Sequence, residues 1–497
     1  MNELSSGLIG LIPLVLLLIG LGFTRLPAHL VAVAAAAAAA LLAWGGWHAA
    51  PAALGWAACE GAVVALVPIL WVIFGAVFVF LVCTETRGMA AFRRFITGVS
   101  PDRSVQVVLI AFCLGGFLEA VAGFGSAVAV PAGMLIVLGV EPVRATVICL
   151  VANSVPVAFG ALGIPLLALV NVTGIDTAVL TRDVALQLSL FAVVVPAVLV
   201  FMAGGGWPAA RRALPDALFI GFVFSATQLL IAWFSGPELV AVGASLAALF
   251  AYVAFRRCQG ACATALRAAD EPSLFTASLP FLCLLILVLA TRLTPLRILQ
   301  KPPFAFVLHV PNGHVLTLDL FTTPGTLLTI AGFVGACAGG LSFRRTIGLA
   351  GQAAVKIRRT GIVVVSILAL AKIMTCSGMI ASVARMLAGA VGPFFPMLSP
   401  WLGALGTFVT GSDTSSNILL GALQKQTALD TGCDPGWIAA ANTSGATAGK
   451  MISPQSISIG AATAGVESRQ GEILRATIWY CAGYLLLLSV VIYLGAR

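Results

Sequence analysis

Three charges stand in stretches that are otherwise almost uncharged: Glu119 in Phe-Leu-Glu-Ala-Val-Ala, Asp413 in Gly-Ser-Asp-Thr-Ser-Ser-Asn and Lys450 in Ala-Gly-Lys-Met-Ile-Ser. Ionisable groups inside apolar runs are costly, and their default reading is functional. Around Asp413 the chain places six polar residues in a row, Ser412 to Asn417, directly after Gly411. The glycine permits a tight turn. Ser412, Thr414, Ser415 and Asn417 then offer hydroxyls, an amide and free backbone N–H groups at a helix start, which carries about half a positive charge and attracts a carboxylate. A cap without a ligand needs one or two such residues, not six. A weaker counterpart lies upstream in Gly123-Phe-Gly-Ser126, where Gly123 exposes backbone donors and Ser126 adds the hydroxyl; helix-packing notches are the other reading of such glycines. Asn153-Ser154 and Asn442-Thr443-Ser444 each read as a helix break, followed by Pro156 or Gly445. Their side chains either meet a ligand or bond between helices. Lys450 has two readings, a partner for a substrate carboxylate or a neutraliser of Glu119 or Asp413.

Other chemistries fit poorly. Gly445-Ala-Thr-Ala-Gly-Lys450 resembles a phosphate loop but is one residue short, and no strand precedes it. HExxH and GxSxG do not occur, so a membrane-embedded enzyme lacks its nucleophile or metal. Neither the four histidines nor the eleven cysteines make metal-ligand spacing, and the cysteines read as small buried hydrophobes. No metal or cofactor is expected. The Met-Asn-Glu-Leu start lacks the basic region of a secretory signal.

The elements that must position these groups are membrane spans. Of 497 residues, 60% are hydrophobic and 9% charged, against about 25% charged in soluble domains; mean hydropathy is +1.08. Span-length apolar runs cover 7–23, 28–44, 61–83, 105–121, 184–203, 217–234, 238–255, 275–290, 322–341, 361–376 and 473–494. The formal charge of +9 does not point to nucleic acid, because the basic residues collect in short loops: Arg87, Arg93, Arg94 and Arg103; Arg211 and Arg212; Arg256, Arg257 and Arg267; Arg344, Arg345, Lys356, Arg358 and Arg359. These loops are expected in the cytoplasm. The basic stretch 292–301 falls on the outer side of that count and conflicts with it.

Regions 117–171 and 401–464 are apolar yet cut by Gly, Pro, Ser, Thr and Asn. Irregular backbone at membrane depth is tolerated only inside protein or around a watery cavity. The two regions echo each other. Asn153 precedes Gly160 by seven positions and Pro165 by twelve, and Asn442 precedes Gly449 and Pro454 by the same seven and twelve. Gly123 lies 30 positions before Asn153, and Gly411 lies 31 before Asn442. Paired interrupted segments in two halves point to a transporter site. The expected fold is an all-α polytopic membrane protein of about 12–14 transmembrane helices, with two inverted repeats and re-entrant or broken helices. The first repeat is 1–255, a cytoplasmic linker spans 256–274, and the second repeat is 275–497.

At these residues the sequence resembles the bacterial L-lactate permeases. The resemblance is carried by Phe117-Leu-Glu-Ala-Val-Ala-Gly-Phe-Gly-Ser126, Asn153-Ser-Val-Pro-Val-Ala-Phe-Gly-Ala-Leu-Gly-Ile-Pro165, Val172-Thr-Gly-Ile-Asp176, Thr410-Gly-Ser-Asp-Thr-Ser-Ser-Asn417 and Gly449-Lys-Met-Ile-Ser-Pro-Gln455, with Ser100-Pro-Asp-Arg103 and Gly236-Pro-Glu-Leu239 in order between them. It implies proton symport of L-lactate or a related 2-hydroxy monocarboxylate such as glycolate, by alternating access, in a multi-pass protein of the bacterial inner membrane. Its partners would be substrate, protons and membrane lipid, with a homodimer left open. A sodium-coupled carboxylate carrier and a passive organic-anion channel are the alternatives. Two departures stand out, a shorter stretch around 256–320 and Lys372 with Thr375-Cys376 where apolar residues and an Asn-Tyr-like pair are expected. Given proton coupling, Asp413 at a helix start is expected to stay ionised and order the site. Glu119, among apolar neighbours, is expected to carry the proton.

Overall fold

In a computed structural model, the described residues are 3–23, 26–88, 91, 94, 98–121, 123, 125–203, 206–259, 273–292, 305–309 and 315–496. The described residues are helical apart from connecting turns and one antiparallel hairpin, β1 (Ala305–His309) with β2 (Val315–Asp319), in which Val307 pairs with Thr317. Eight described helices are long and apolar enough to cross a bilayer, or nine if helix 343–376, bent by 47°, counts as one span. Further apolar helices are shorter because glycines, prolines and π turns cut them. The conflicting stretch 292–301 lies almost wholly outside the described residues, as does most of the linker 256–274.

The outer helices come first. Helices α1 (Glu3–Phe23) and α2 (Ala28–Trp47) precede a long rod, α3 (Pro51–Val64) and α4 (Trp71–Glu85), joined through a π turn at Ala65–Leu70 that contains Pro68. The first interrupted region then folds as a hairpin. Its inward arm is α5 (Arg103–Val108), a π turn at Leu109–Leu114 and α6 (Gly115–Val121); its return arm is α7 (Ser126–Val137). A Cβ on Gly139, just after α7, would lie 3.2 Å from the Arg103 guanidinium at the start of α5, so both arms end on one face. The tip turns at Gly123 (φ +57) and Gly125 (φ +85), left-handed conformations that favour glycine.

From the same face α8 (Pro142–Ala152) runs inward and stops at Asn153. A 3-10 turn, Pro156–Phe159, leads to α9 (Gly160–Thr173). Near its start, three consecutive residues, Ala161, Leu162 and Gly163, have positive φ. Such strain persists only where the surroundings enforce it, and it clusters at functional sites. Three long spans follow: α10 (Thr177–Met202), α11 (Gly206–Phe234) and α12 (Val240–Cys258).

The second half runs through α13 (Leu274–Arg292), α14 (Pro324–Ala338), α15 (Phe343–Cys376) and α16 (Met379–Val391) to its own hairpin. The arms are α17 (Phe395–Thr410) and α18 (Asp413–Thr431), turning at Gly411 (φ +71). They are stitched by Ser416 Oγ donating to the Gly403 carbonyl at 2.9 Å and Gln424 Nε2 donating to the Ser399 carbonyl at 2.9 Å. Helix α19 (Pro435–Ile452) breaks at Ser453, whose Oγ accepts the Ser456 N–H at 3.3 Å and so caps α20 (Pro454–Ala464); α21 (Gln470–Gly495) ends the chain's helices.

The two interrupted regions interlock crosswise. The tip of the first hairpin packs on α20 of the second half, where a Cβ on Gly125 would overlap Ile459. Helix α18 packs on α9 of the first half: Asn417 Nδ2 donates to the Pro165 carbonyl at 2.9 Å and Lys425 Nζ to the Thr173 carbonyl at 2.6 Å. Glycines make α19 fit α17, because a Cβ on Gly445 or Gly449 would overlap the Pro400 or Ala404 carbonyl. The phosphate-loop resemblance thus falls inside an ordinary helix.

Two exposed ion pairs join basic residues to acids at helix ends. Arg345 Nη2 lies 2.8 Å from Glu85 Oε1, joining the start of α15 to the end of α4, and Arg469 Nη1 lies 2.9 Å from Glu141 Oε1 beside the first hairpin's open end. The cysteine expectation needs correction. Cys83, Cys113, Cys149 and Cys481 are buried, but Cys59, Cys258, Cys337 and Cys376 are exposed on helix surfaces.

Candidate functional site

The two hairpin tips and the two helix breaks enclose one cavity of about 370 Å³, within the size range of small-molecule sites. Gly123 and Gly125 come from the first tip, Thr410 to Ser415 from the second, Gly160, Ala161, Ile164 and Pro165 from the first break, and Lys450, Gln455 and Ser456 from the second. Pro27, His29, Ile73, Val363 and Val364 close it from α4, α15 and the start of α2.

At its charged wall, Lys450 Nζ sits 2.6 Å from Glu119 Oε1, and Asn153 Nδ2 donates to Glu119 Oε2 at 3.1 Å. The pair is buried, with side chains 14% and 3% exposed. Gly160 lets the acid pack closely here, since a Cβ would lie 3.0 Å from Glu119 Oε1. Of the two readings of Lys450, neutralising Glu119 is present in the structure. The ammonium still lines the cavity and has further N–H donors to offer.

Opposite stands the start of α18. The expectation that Asp413 is held by N–H donors at this helix start is corrected. The cap is Ser412, whose Oγ accepts from Ser415 N at 3.4 Å. Asp413 is 3% exposed, and neither carboxylate oxygen has a hydrogen-bond partner. Thr414 and Ser415 also face the cavity. Gly411 lets the tip press on α20, since a Cβ there would overlap the Gln455 side chain.

Other expected site residues lie elsewhere. Asn442 and Asn417 are fully buried and bonded to one another, Asn442 Nδ2 donating to Asn417 Oδ1 at 2.8 Å, while Gln424 Nε2 donates to Asn442 Oδ1 at 3.2 Å. Ser444 Oγ donates to Gln187 Oε1 at 2.7 Å, and Ser154 Oγ to the Val151 carbonyl at 2.8 Å. Thr443 is buried with its hydroxyl unpaired. None of these residues lines the cavity; Asn417, Asn442 and Ser444 bond between packed helices, while Ser154 bonds within its own helix end. Asn153 reaches the site only through Glu119. Ser126 begins α7 at the first tip. Conversely, Thr410, Gln455, Ser456 and His29 line the cavity and were not singled out. For Gln455 the signal was available, since it closes the Gly449-Lys-Met-Ile-Ser-Pro-Gln455 motif.

A second buried ion pair accounts for Lys372. Its Nζ lies 2.6 Å from Glu60 Oε1 on α3, with side chains 17% and 3% exposed, beside a separate cavity of about 300 Å³ that Thr375 and Cys376 also line. The unexpected lysine therefore comes with a buried acid that it neutralises.

With this geometry established, similarity to known proteins is informative. The family model described as L-lactate permease matches residues 6–301 and 287–497. An L-lactate permease of Streptococcus iniae is 35% identical, covering 77% of this chain and 82% of that protein. A glycolate permease of Escherichia coli is 32% identical, covering 99% and 96%. Among solved structures, the YdaH transporter of Alcanivorax borkumensis covers 85% of this chain and 84% of its own at 17% identity, with a TM-score of 0.47.

Proposed function

Since the chain belongs to the L-lactate permease family, we propose that it takes up L-lactate or a related small 2-hydroxy monocarboxylate such as glycolate by proton symport. It is a multi-pass membrane transporter and not an enzyme. The observation that carries the substrate reading is the cavity between the two tips. It offers one ammonium, Lys450, and the hydroxyl-rich first turn of α18, together suited to one carboxylate and a neighbouring hydroxyl. A dicarboxylate would bring a second negative charge to a site that already contains Glu119 and Asp413.

The crosswise packing of the two interrupted regions supports the reading of 1–255 and 275–497 as inverted repeats related by a pseudo-two-fold axis. The first tip rests on α20 of the second half and α18 on α9 of the first, so moving the tips against the outer helices would expose the cavity to either side in turn. On this reading the helix ends that carry the Arg345–Glu85 and Arg469–Glu141 pairs are cytoplasmic, in the bacterial inner membrane.

Uptake of radiolabelled lactate, glycolate and succinate into proteoliposomes tests the proposal, under an imposed pH gradient with and without sodium. Lactate or glycolate should accumulate above equilibrium on the pH gradient alone, and succinate should not. Accumulation that needs sodium, or mere equilibration, would refute proton symport.

A further inference from the structure

Granting that the cavity carries a carboxylate anion as proposed above, we infer that Asp413, not Glu119, holds the coupled proton, and that the Glu119–Lys450 pair stays charged through the cycle. The geometry separates the two acids. Glu119 already has an ammonium at 2.6 Å and an amide N–H at 3.1 Å. Both donate to Glu119 in the structure, and both contacts stabilise its carboxylate form. Asp413 is as deeply buried, yet both its oxygens lack a partner. An ionised carboxylate in that state is the costly form. The neutral acid is cheaper to hold there.

Charge counting turns this into coupling. Among the described residues, the titratable groups that line the cavity with Asp413 are Lys450 on α19, Glu119 on α6 and His29 on α2; α9, α16 and α17, which also pack on α18, contribute none, and Lys372 on α15 lines the other cavity. Lys450 and Glu119 cancel. With neutral His29, the site has one net negative charge when Asp413 is ionised, and a bound anion would make two. With Asp413 protonated the site is neutral, and the anion restores one. The empty, deprotonated site and the loaded, protonated site therefore carry equal charge. The step breaks no covalent bond of the substrate: a proton passes from bulk water to the Asp413 carboxylate as the anion enters, and returns to water as it leaves. One proton moves with each monocarboxylate, and the cycle is electroneutral.

Asp413→Asn and Glu119→Gln in proteoliposomes test this. In Asp413→Asn, accumulation driven by a pH gradient should be lost, while a slower lactate-for-lactate exchange should persist without pH dependence. In the wild type, a potassium diffusion potential should not alter accumulation. Should Asp413→Asn fail to fold, infrared difference spectra of wild-type protein with and without lactate take its place. A carboxylic acid band should shift on 13C labelling of aspartate and not of glutamate. Proton-driven accumulation surviving in Asp413→Asn, a band that follows glutamate labelling, or exchange retained without accumulation in Glu119→Gln would overturn the assignment alone. A wild type that transports no lactate would overturn the transport reading and this inference with it.

Discussion

Replacing Lys450 separates its two roles, because they respond differently to a second substitution. Lys450→Met removes the ammonium 2.6 Å from Glu119 and leaves an acid that is 3% exposed with one amide donor. Breaking a buried pair by removing one partner costs about 3–5 kcal/mol. Losing one hydrogen bond from a charged ligand costs about 1.5–3 kcal/mol, or roughly ten- to a hundred-fold in Kd. Lys450→Met alone should therefore lower both thermal stability and lactate affinity. Adding Glu119→Gln removes the stranded charge. The double variant should recover most of the stability, since loss of both charges from a buried pair is often nearly neutral, while its affinity stays at least about tenfold down. The assays are thermal unfolding of the detergent-purified protein and equilibrium binding of labelled lactate. If affinity recovers together with stability in the double variant, Lys450 only neutralises Glu119 and does not bind substrate.

Further expectations follow from single contacts. Gly411→Ala adds a Cβ at φ +71 that overlaps Gln455, so transport should collapse in a protein that still reaches the membrane, measured as uptake per unit of inserted protein. Lys372→Met removes the ammonium 2.6 Å from buried Glu60 and should cost about 3–5 kcal/mol of stability, with Glu60→Gln restoring much of it in the double variant; an unchanged melting temperature in Lys372→Met would contradict the buried pair. Ser415→Ala, on the cavity wall, should weaken lactate binding about tenfold at nearly unchanged stability. Asn442→Ala should do the reverse, lowering the melting temperature by breaking its bonds to Asn417 and Gln424.

Much of this site was legible because interruptions inside apolar runs have few explanations. Gly123, Gly411 and the polar run after it marked both tips; Asn153 and Gly160 marked the first break and Pro454 the second, whereas the break expected at Asn442-Thr443-Ser444 falls inside the continuous helix α19. What could not be read was which way a helical side chain faces. Asn442 and Lys450 share α19, but eight residues at 1.5 Å each put them about 12 Å apart along the axis, so one sits deep in the helix packing while the other reaches the cavity. The roles of the two acids depended on partners equally hidden. Glu119 meets Lys450 across 331 positions and Glu60 meets Lys372 across 312, and no local pattern announces such pairs. Asp413 was misjudged because a helix start suggests a satisfied carboxylate, whereas Ser412 takes the capping position.

The central claim is that the cavity between the two tips is the transport site, and a cryo-electron microscopy structure at saturating L-lactate tests it most directly. Density for the hydroxy acid should fill this cavity, its carboxylate within hydrogen-bond distance of Lys450 Nζ and its other end at the first turn of α18. Ligand density in the Glu60–Lys372 cavity instead, or an empty tip cavity at a concentration that saturates transport, would contradict the account.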